Sequence, residues 1–368
     1  MSDRLHVGTR KGLITISRGA DGWAVDKIAL ENVAVTEVLD LGPDGLVVGL
    51  DHGHYGPKVA CSTDGGATFG DLTLPPHPEP APGEAPAIDP SRQELLPTAT
   101  QLIWALAATS DGTLWCGTMP GALFSSADGG RTWDLNRALW DHPSRPEWFG
   151  GGNDFPVINA IVPDPRGPER LAIAVSCGGV WRTTDGGASW EAGTGMKAPF
   201  MPPERIEDPA VQDVHYLARC PASPDVLWAQ HHSGIYRSTD DARTWTEITE
   251  AGPSTFGFPV AVHPHDPDTA WFVPAQADEW RLPVDAHVVV TRTRDGGATF
   301  DVLDEGLPPV PAWDLVHRHG LAVDATGERL AFGSTTGNLW VSEDGGDRWA
   351  HVSAHLPPIH VVRFAADA

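Results

Sequence analysis

The sequence predicts an all-β fold: a single seven-bladed β-propeller that occupies residues 1–368 and is closed by its C-terminal strand. Three observations lead to this prediction. A turn pattern occurs six times along the chain, short runs rich in β-branched and aromatic residues precede most copies, and one such run stands alone at the C-terminus. A supersecondary unit that returns at a nearly regular spacing of this kind is typical of propeller blades.

The repeated pattern has the chemistry of a hairpin turn. In Thr183–Trp190 (TTDGGASW) the aspartate can accept hydrogen bonds from backbone N–H groups ahead of it, and the glycine pair tolerates positive φ. The hydroxyl adds a second local bond, and the final aromatic ring can pack beneath the turn. The other copies are Ser62–Phe69, Ser125–Trp133, Ser238–Trp245, Thr293–Phe300 and Ser342–Trp349.

Strand signals surround these turns. Most copies follow two β-rich runs that are separated by a glycine turn, for example Leu171–Val175 and Gly179–Arg182. The N-terminal unit carries only a blurred copy, Arg18–Trp23, and lacks an inner strand. Because Ile359–Phe364 (IHVVRF) has no turn after it, we expect it to complete the first blade and so remove the exposed sheet edges.

Composition limits the partners. The formal charge of −24 argues against a nucleic-acid-binding surface, and no apolar run approaches the length of a membrane span. The N-terminus has no signal-peptide pattern, and the four cysteines form no Cys-x-x-Cys pair. We therefore expect a cytoplasmic protein that binds neither nucleic acid nor membrane. The Pro-rich segment 74–99 is expected to be an extended excursion.

The turn pattern resembles the Asp box, or BNR repeat, of sialidase-like β-propellers. The chain is also similar to bacterial YVTN/BNR-repeat proteins, notably in Gln230-His231-His232 and Arg318-His319-Gly320-Leu321. The resemblance implies a ligand site on the face opposite the repeated turns. It does not imply sialidase activity, because the Arg-Ile-Pro motif is missing and no tyrosine occurs in the last third of the chain. Relatives of this kind include assembly factors and receptor ectodomains that act by binding alone.

Histidines gather in segments assigned to that face. An imidazole cluster with carboxylates suits a divalent transition metal such as Zn, Fe, Mn, Cu or Ni, which is the candidate cofactor. If the turn around His52 and His54 is extended, both rings lie on the same side. Inner strands converge on the channel, so histidines from different blades could meet at its mouth. The predicted metal ligands are His52, His54, His215, His231 and His232.

The same reasoning gives a candidate catalytic set. A histidine–carboxylate pair can act as general base, and an arginine can hold an anionic substrate group by a bidentate contact. The set is Asp213, His215, Glu279, Arg281 and His319. It predicts a hydrolase or lyase that acts on a small polar or anionic molecule, with or without a metal.

Two alternatives stay open. One is a glycoside hydrolase that uses a carboxylate pair. The other is a non-catalytic scaffold that grips a protein segment on the same face. The carboxylates on this face are Asp154, Asp213, Asp278, Glu279 and Asp314.

Overall fold

The computed structural model describes residues 1–78, 88–89 and 93–366. They form seven antiparallel sheets of four strands each. The inner strands of successive blades contact one another in turn, and the last blade returns to the first. The predicted seven-bladed propeller is confirmed. Much of the Pro-rich segment for which we predicted an excursion, namely residues 79–87 and 90–92, lies outside the described residues.

Each blade is built from four strands, counted outward from the central channel. The strands of the first three blades are β1 (Arg4–Thr9), β2 (Gly12–Gly19), β3 (Gly22–Ala29), β4 (Ala34–Asp40), β5 (Leu46–Asp51), β6 (Pro57–Ser62), β7 (Gly70–Leu72), β8 (Leu102–Ala108), β9 (Leu114–Met119), β10 (Leu123–Ser126) and β11 (Asp134–Leu135).

The remaining four blades follow in chain order, and the final strand returns to the first blade. Their strands are β12 (Val157–Pro163), β13 (Leu171–Ser176), β14 (Gly179–Thr183), β15 (Glu191–Ala192), β16 (Val214–Arg219), β17 (Leu227–His231), β18 (Gly234–Ser238), β19 (Thr246–Ile248), β20 (Gly257–Val262), β21 (Ala270–Pro274), β22 (Val290–Thr293), β23 (Asp301–Leu303), β24 (Leu321–Val323), β25 (Leu330–Gly333), β26 (Leu339–Ser342), β27 (Ala350–Ser353) and β28 (Ile359–Phe364).

Helical structure is short and confined to connections. Within the described residues there is one four-residue α-helix, α1 (Arg137–Trp140), and none of their helices has the length and apolar character needed to cross a bilayer. The 3-10 helices are Gly42–Asp44, Gly53–Tyr55, Arg145–Glu147, Pro203–Arg205, Pro209–Val211 and Val284–Ala286.

The repeated turn closes as its chemistry dictates. In the fourth blade, Asp185 Oδ1 accepts hydrogen bonds from the Thr183 hydroxyl at 2.7 Å and from the Ser189 backbone N–H at 2.9 Å. The Thr183 hydroxyl oxygen in turn accepts the N–H of Gly187, whose φ is +84°. The ring of Trp190 is buried beneath the turn. The same bonding pattern occurs at the other five copies.

The fifth blade departs from the glycine pair for an electrostatic reason. Asp241 takes the left-handed conformation there, with φ of 63°. Its buried carboxylate lies 2.6 Å from Arg170 Nη2 and 2.8 Å from Arg219 Nη1, and Arg182 lies 3.3 Å away. This network joins the fourth and fifth blades, so pairing of buried charges offsets the backbone strain of the turn.

The C-terminal strand closes the ring. Strand β28 pairs antiparallel with β1 as the inner strand of the first blade. Its side chains Ile359, Val361 and Val362 are fully buried. Arg363 Nη2 also reaches across to the next blade, 3.0 Å from Glu37 Oε1 on β4. The predicted closure is therefore confirmed.

Candidate active site at the channel mouth

One face of the propeller carries all the long connections. In each antiparallel blade the repeated turn joins the third and fourth strands, so the second-to-third turns and the links between blades lie at the opposite end. The helix α1 and five of the six 3-10 helices fall in these segments. We call this end the loop face.

The centre of the site is the Asp213 carboxylate. Asp213 precedes β16, the inner strand of the fifth blade, and is buried. The Ser176 hydroxyl donates to its Oδ1 at 2.8 Å. Its Oδ2 lies 3.4 Å from His232 Nδ1 and 3.7 Å from His215 Nε2. Side chains from three separate segments of the chain, Ser176, His215 and His232, thus surround the Asp213 carboxylate.

The electrostatics of this group differ from residue to residue. Burial disfavours the Asp213 carboxylate, but the neighbouring His215 and His232 imidazoles hold its pKa well below the usual range. Burial likewise disfavours the His232 imidazolium, yet the Asp213 carboxylate outweighs it and raises the pKa of His232. Burial lowers the pKa of His215. His232 is the partly exposed member, so it is the one that can exchange a proton with a ligand.

A glycine loop closes over Asp213. A Cβ atom at Gly151 would lie 2.6 Å from Cys177 Sγ and 3.0 Å from Asp213 Oδ2, so only glycine fits. Cys177 itself has φ of 48°, a strained conformation for a side-chain-bearing residue. Burial and the adjacent Asp213 carboxylate raise the pKa of the Cys177 thiol well above its usual value. A thiol in this state is not a nucleophile.

The same cluster has a donor set that suits a metal ion. Within the described part of the chain, Asp213, His215 and His232 are the one group whose ligand atoms all lie within 4.8 Å of one another. The His215 Nδ1 lies 2.6 Å from the Gly257 carbonyl oxygen. If Nδ1 donates there, the neutral ring turns the lone pair of Nε2 toward the Asp213 carboxylate. Two acceptors that face each other need a proton or a cation between them.

Two of the predicted metal ligands do not belong to this group. His52 directly precedes the 3-10 helix Gly53–Tyr55 and His54 lies within it. The turn is therefore not extended, and the reasoning that placed both rings on one side was wrong. His54 is exposed and its ring contacts Tyr55. Neither imidazole lines the cavity or joins Asp213.

His231 also faces away. It is the last residue of β17, and adjacent strand residues point to opposite sides of a sheet. Its ring packs edge-on against Tyr236, and its Nδ1 accepts the N–H of Ser233. Burial lowers the pKa of His231 to about 3. Only His232 of the pair reaches the site.

The remaining members of the predicted catalytic set are spread around the mouth. His319 is buried, with Nδ1 2.9 Å from Glu37 Oε2 and Nε2 2.8 Å from the Asn159 carbonyl oxygen, so both nitrogens are engaged in the channel wall. Glu279 is exposed on the β21–β22 connection. Arg281, on the same connection, pairs with Asp278 at 2.6 Å. Asp314 is a buried structural group that accepts from Ser334 and Asn338.

A cavity of about 230 Å³ lies at the channel mouth, and its lining includes Arg318 but not Asp213, His215 or His232. Its polar and aromatic lining residues are Thr36, Asp51, Trp104, His317, Arg318, His319 and His360. Arg318 is the residue that sequence reasoning missed, although it stands directly before His319. Burial and the Arg318 charge lower the pKa of His317 to about 4.

The loop face also carries the exposed aromatic rings. Among the described residues four aromatic side chains are exposed, and every one lies on a second-to-third turn or an inter-blade link. They are Tyr55, Phe200, Trp280 and Trp313. Exposed aromatic rings that share one face with a polar pocket are typical of a binding surface.

Comparison with known proteins places the chain among propellers of two kinds. No family model matches it. It is 25% identical over 282 residues to a probable oligoxyloglucan-reducing end-specific xyloglucanase of Neosartorya fischeri. The aligned region covers 68% of this chain and 32% of that protein. It is 24% identical over 284 residues to a xyloglucanase of a Paenibacillus species. The aligned region covers 64% of this chain and 26% of that protein. The chain thus spans a third or less of these relatives.

Solved structures agree on the fold. An ancestral GH74 enzyme superposes with a TM-score of 0.59 at 16% identity, over 83% of this chain and 36% of that one. YCF48 from Cyanidioschyzon merolae superposes with a TM-score of 0.56 at 14% identity, over 88% of this chain and 87% of that one. The protein is therefore a seven-bladed β-propeller similar to GH74 xyloglucanases and to YCF48. The relatives found by sequence are xyloglucanases rather than sialidases.

Proposed function

We propose that this protein is a glycoside hydrolase that binds an oligosaccharide across the loop face. The observation that carries the proposal is the shared location of the four exposed aromatic rings and the buried Asp213–His232 pair. The apolar faces of sugar rings pack well on aromatic side chains, and hydroxyl groups need a polar pocket beside them. The similarity to xyloglucanases supports a β-glucan-type oligosaccharide as substrate.

Hydrolysis of a glycosidic bond needs a base and an acid on opposite sides of it. Asp213 is ionised but buried, so it acts through His232, which is partly exposed and can remove a proton from an attacking water. The acid is a carboxylic acid at the rim of the mouth. Asp51, which lines the cavity, and Glu279, which is exposed beside Trp280, are the two candidates.

The proposal includes a divalent metal as an option for the same cluster. Asp213, His215 and His232 would hold it, and a metal would supply Lewis-acid activation of a water. Elemental analysis of the purified protein tests this option. We expect stoichiometric metal that is absent from an Asp213→Asn, His215→Gln variant. If the parent binds no metal after incubation with Zn, Mn or Fe salts, the histidine–carboxylate base alone remains.

The activity test is hydrolysis of xyloglucan, of other β-glucan oligosaccharides and of oligosaccharides that carry uronate residues, followed by product separation. We expect Asp213→Asn and His232→Gln each to lower kcat by about 10²- to 10⁴-fold, because the general base is lost. Either Asp51→Asn or Glu279→Gln should do the same, which identifies the acid. Glu207→Gln, an exposed glutamate on the same face, is the matched control and should have parental activity.

The binding and catalytic parts can be separated. Trp280→Ala should raise KM more than it lowers kcat, since the ring would hold sugar without touching the reacting atoms. Oligosaccharide binding without hydrolysis by the parent protein would identify a non-catalytic binding module instead. Absence of both binding and hydrolysis across the oligosaccharide panel would refute the proposal.

A further inference from the structure

Arg318 stands apart from the other buried arginines. Five arginines of the described chain are buried: Arg182, Arg219, Arg292, Arg318 and Arg329. Four of them pair with at least one carboxylate. Arg318 is only 6% exposed, yet it forms no ion pair or hydrogen bond with any described residue. A buried cation without a partner is costly, so a structural role alone does not account for it.

The surroundings of Arg318 position it for a ligand. Its guanidinium carbon lies 5.1 Å from the centre of the Trp104 ring and 5.5 Å from that of Phe258. These two aromatic contacts fix the side chain without using its N–H groups. The residue lines the cavity at the channel mouth. Its N–H groups are therefore available to donate hydrogen bonds to a ligand in this cavity.

The nearby carboxylates are already engaged. Asp213 is bound by Ser176 and faces His215 and His232. Asp278 pairs with Arg281. Asp51, the carboxylate among the cavity-lining residues, accepts the N–H of Gly53 at 2.8 Å. None of these carboxylates forms an ion pair or a hydrogen bond with Arg318, so its N–H donors have no acceptor among the described residues.

We propose that Arg318 binds a carboxylate group at the channel mouth, and that the substrate is accordingly an acidic saccharide. A guanidinium matches a planar carboxylate with two parallel N–H···O bonds, which a neutral sugar hydroxyl cannot supply. Arg281 adds a second positive charge at the rim. Its guanidinium carbon lies 5.6 Å from the centre of the Phe258 ring, which Arg318 also contacts. The sugar part of this inference rests on the proposed glycoside hydrolase function. The carboxylate part does not.

Calorimetric titration with glucuronate and with glucose tests the proposal. The parent protein should bind glucuronate, and glucose at least about tenfold more weakly, since a charge-assisted bond contributes a factor of this size or more. Arg318→Met should weaken glucuronate binding at least about tenfold. Arg318→Lys keeps the positive charge but loses the two parallel N–H donors of the guanidinium. Its affinity for glucuronate should lie between those of the parent and of Arg318→Met. Arg131→Gln removes an exposed positive charge on the repeated-turn face and should bind like the parent.

Thermal unfolding provides a second readout. Because Arg318 is buried and unpaired, Arg318→Met should melt at the parental temperature or above it. Arg182→Met, which breaks a paired buried arginine, should melt lower. The proposal is overturned if Arg318→Met binds glucuronate as tightly as the parent, if glucose binds as tightly as glucuronate, or if Arg318→Met loses as much stability as Arg182→Met. Monosaccharides contain no glycosidic bond, so these results do not depend on hydrolysis.

Discussion

The ion pair between Arg363 and Glu37 should be a principal contribution to ring closure. Arg363 Nη2 lies 3.0 and 3.2 Å from the two oxygens of Glu37, which is 2% exposed. Burial disfavours the Glu37 carboxylate, but Arg363 and His319 outweigh it and lower its pKa. Arg363→Met leaves that charge buried with His319 as its remaining partner. The expected loss is about 3–5 kcal/mol of unfolding free energy at pH 7.

Urea unfolding followed by tryptophan fluorescence measures this loss. The double variant Glu37→Gln, Arg363→Met should regain most of it, because no unpaired charge remains. In the single variant Glu37 loses Arg363, the largest single influence that lowers its pKa, so the opposing effect of burial shifts that pKa upward. The difference from the parent should therefore shrink as the pH is lowered from 7, because Glu37 of the variant takes up its proton at a higher pH than Glu37 of the parent. A single variant within 1 kcal/mol of the parent, or a double variant no better than the single, would refute the reasoning.

Two further predictions concern the propeller frame. Deletion of residues 359–368 removes the inner strand of the first blade and should lower the melting temperature of the whole protein, whereas an unchanged melting curve would contradict closure by β28. Asp185→Ala removes three hydrogen bonds from an exposed turn and should cost about 1–2 kcal/mol in urea unfolding. Since this turn is opposite the loop face, ligand binding should be parental, and a selective loss of binding would mean that the site is on the other face.

The fold could be predicted from the sequence because its signals are local. Each repeated turn is specified within eight residues by a hydroxyl, an aspartate and two residues that accept positive φ. The unpaired run Ile359–Phe364 completes the first unit. Even the fifth copy, where Asp241 and Ala242 replace the glycines, keeps the aspartate and hydroxyl bonds. Long-range geometry was not needed for any of these steps.

The site was harder because its members come from different blades. Of the residues predicted to meet at the channel mouth, the structure brings Asp213, His215 and His232 together, and all three lie at turns or strand starts on the loop face. Both His231 and His232 were predicted as ligands, although strand alternation would have separated them, because consecutive residues face opposite sides. The 3-10 helix that contains His54 has no comparable signal in the sequence. Arg318 could be recognised only when its surroundings showed no carboxylate partner.

The overall charge of −24 gives a poor indication of what this protein binds. Surface charges farther than about 8 Å from the mouth are largely screened at physiological salt, whereas contacts inside a buried pocket are screened little. At the mouth itself Arg318 is a buried cation that forms no ion pair with a described residue, whereas Asp213 and Asp278 lie beside basic side chains. A negatively charged propeller can therefore present a cationic ligand site at its channel mouth. The sign of the preferred ligand follows from which buried group lacks a partner, and here that group is a guanidinium.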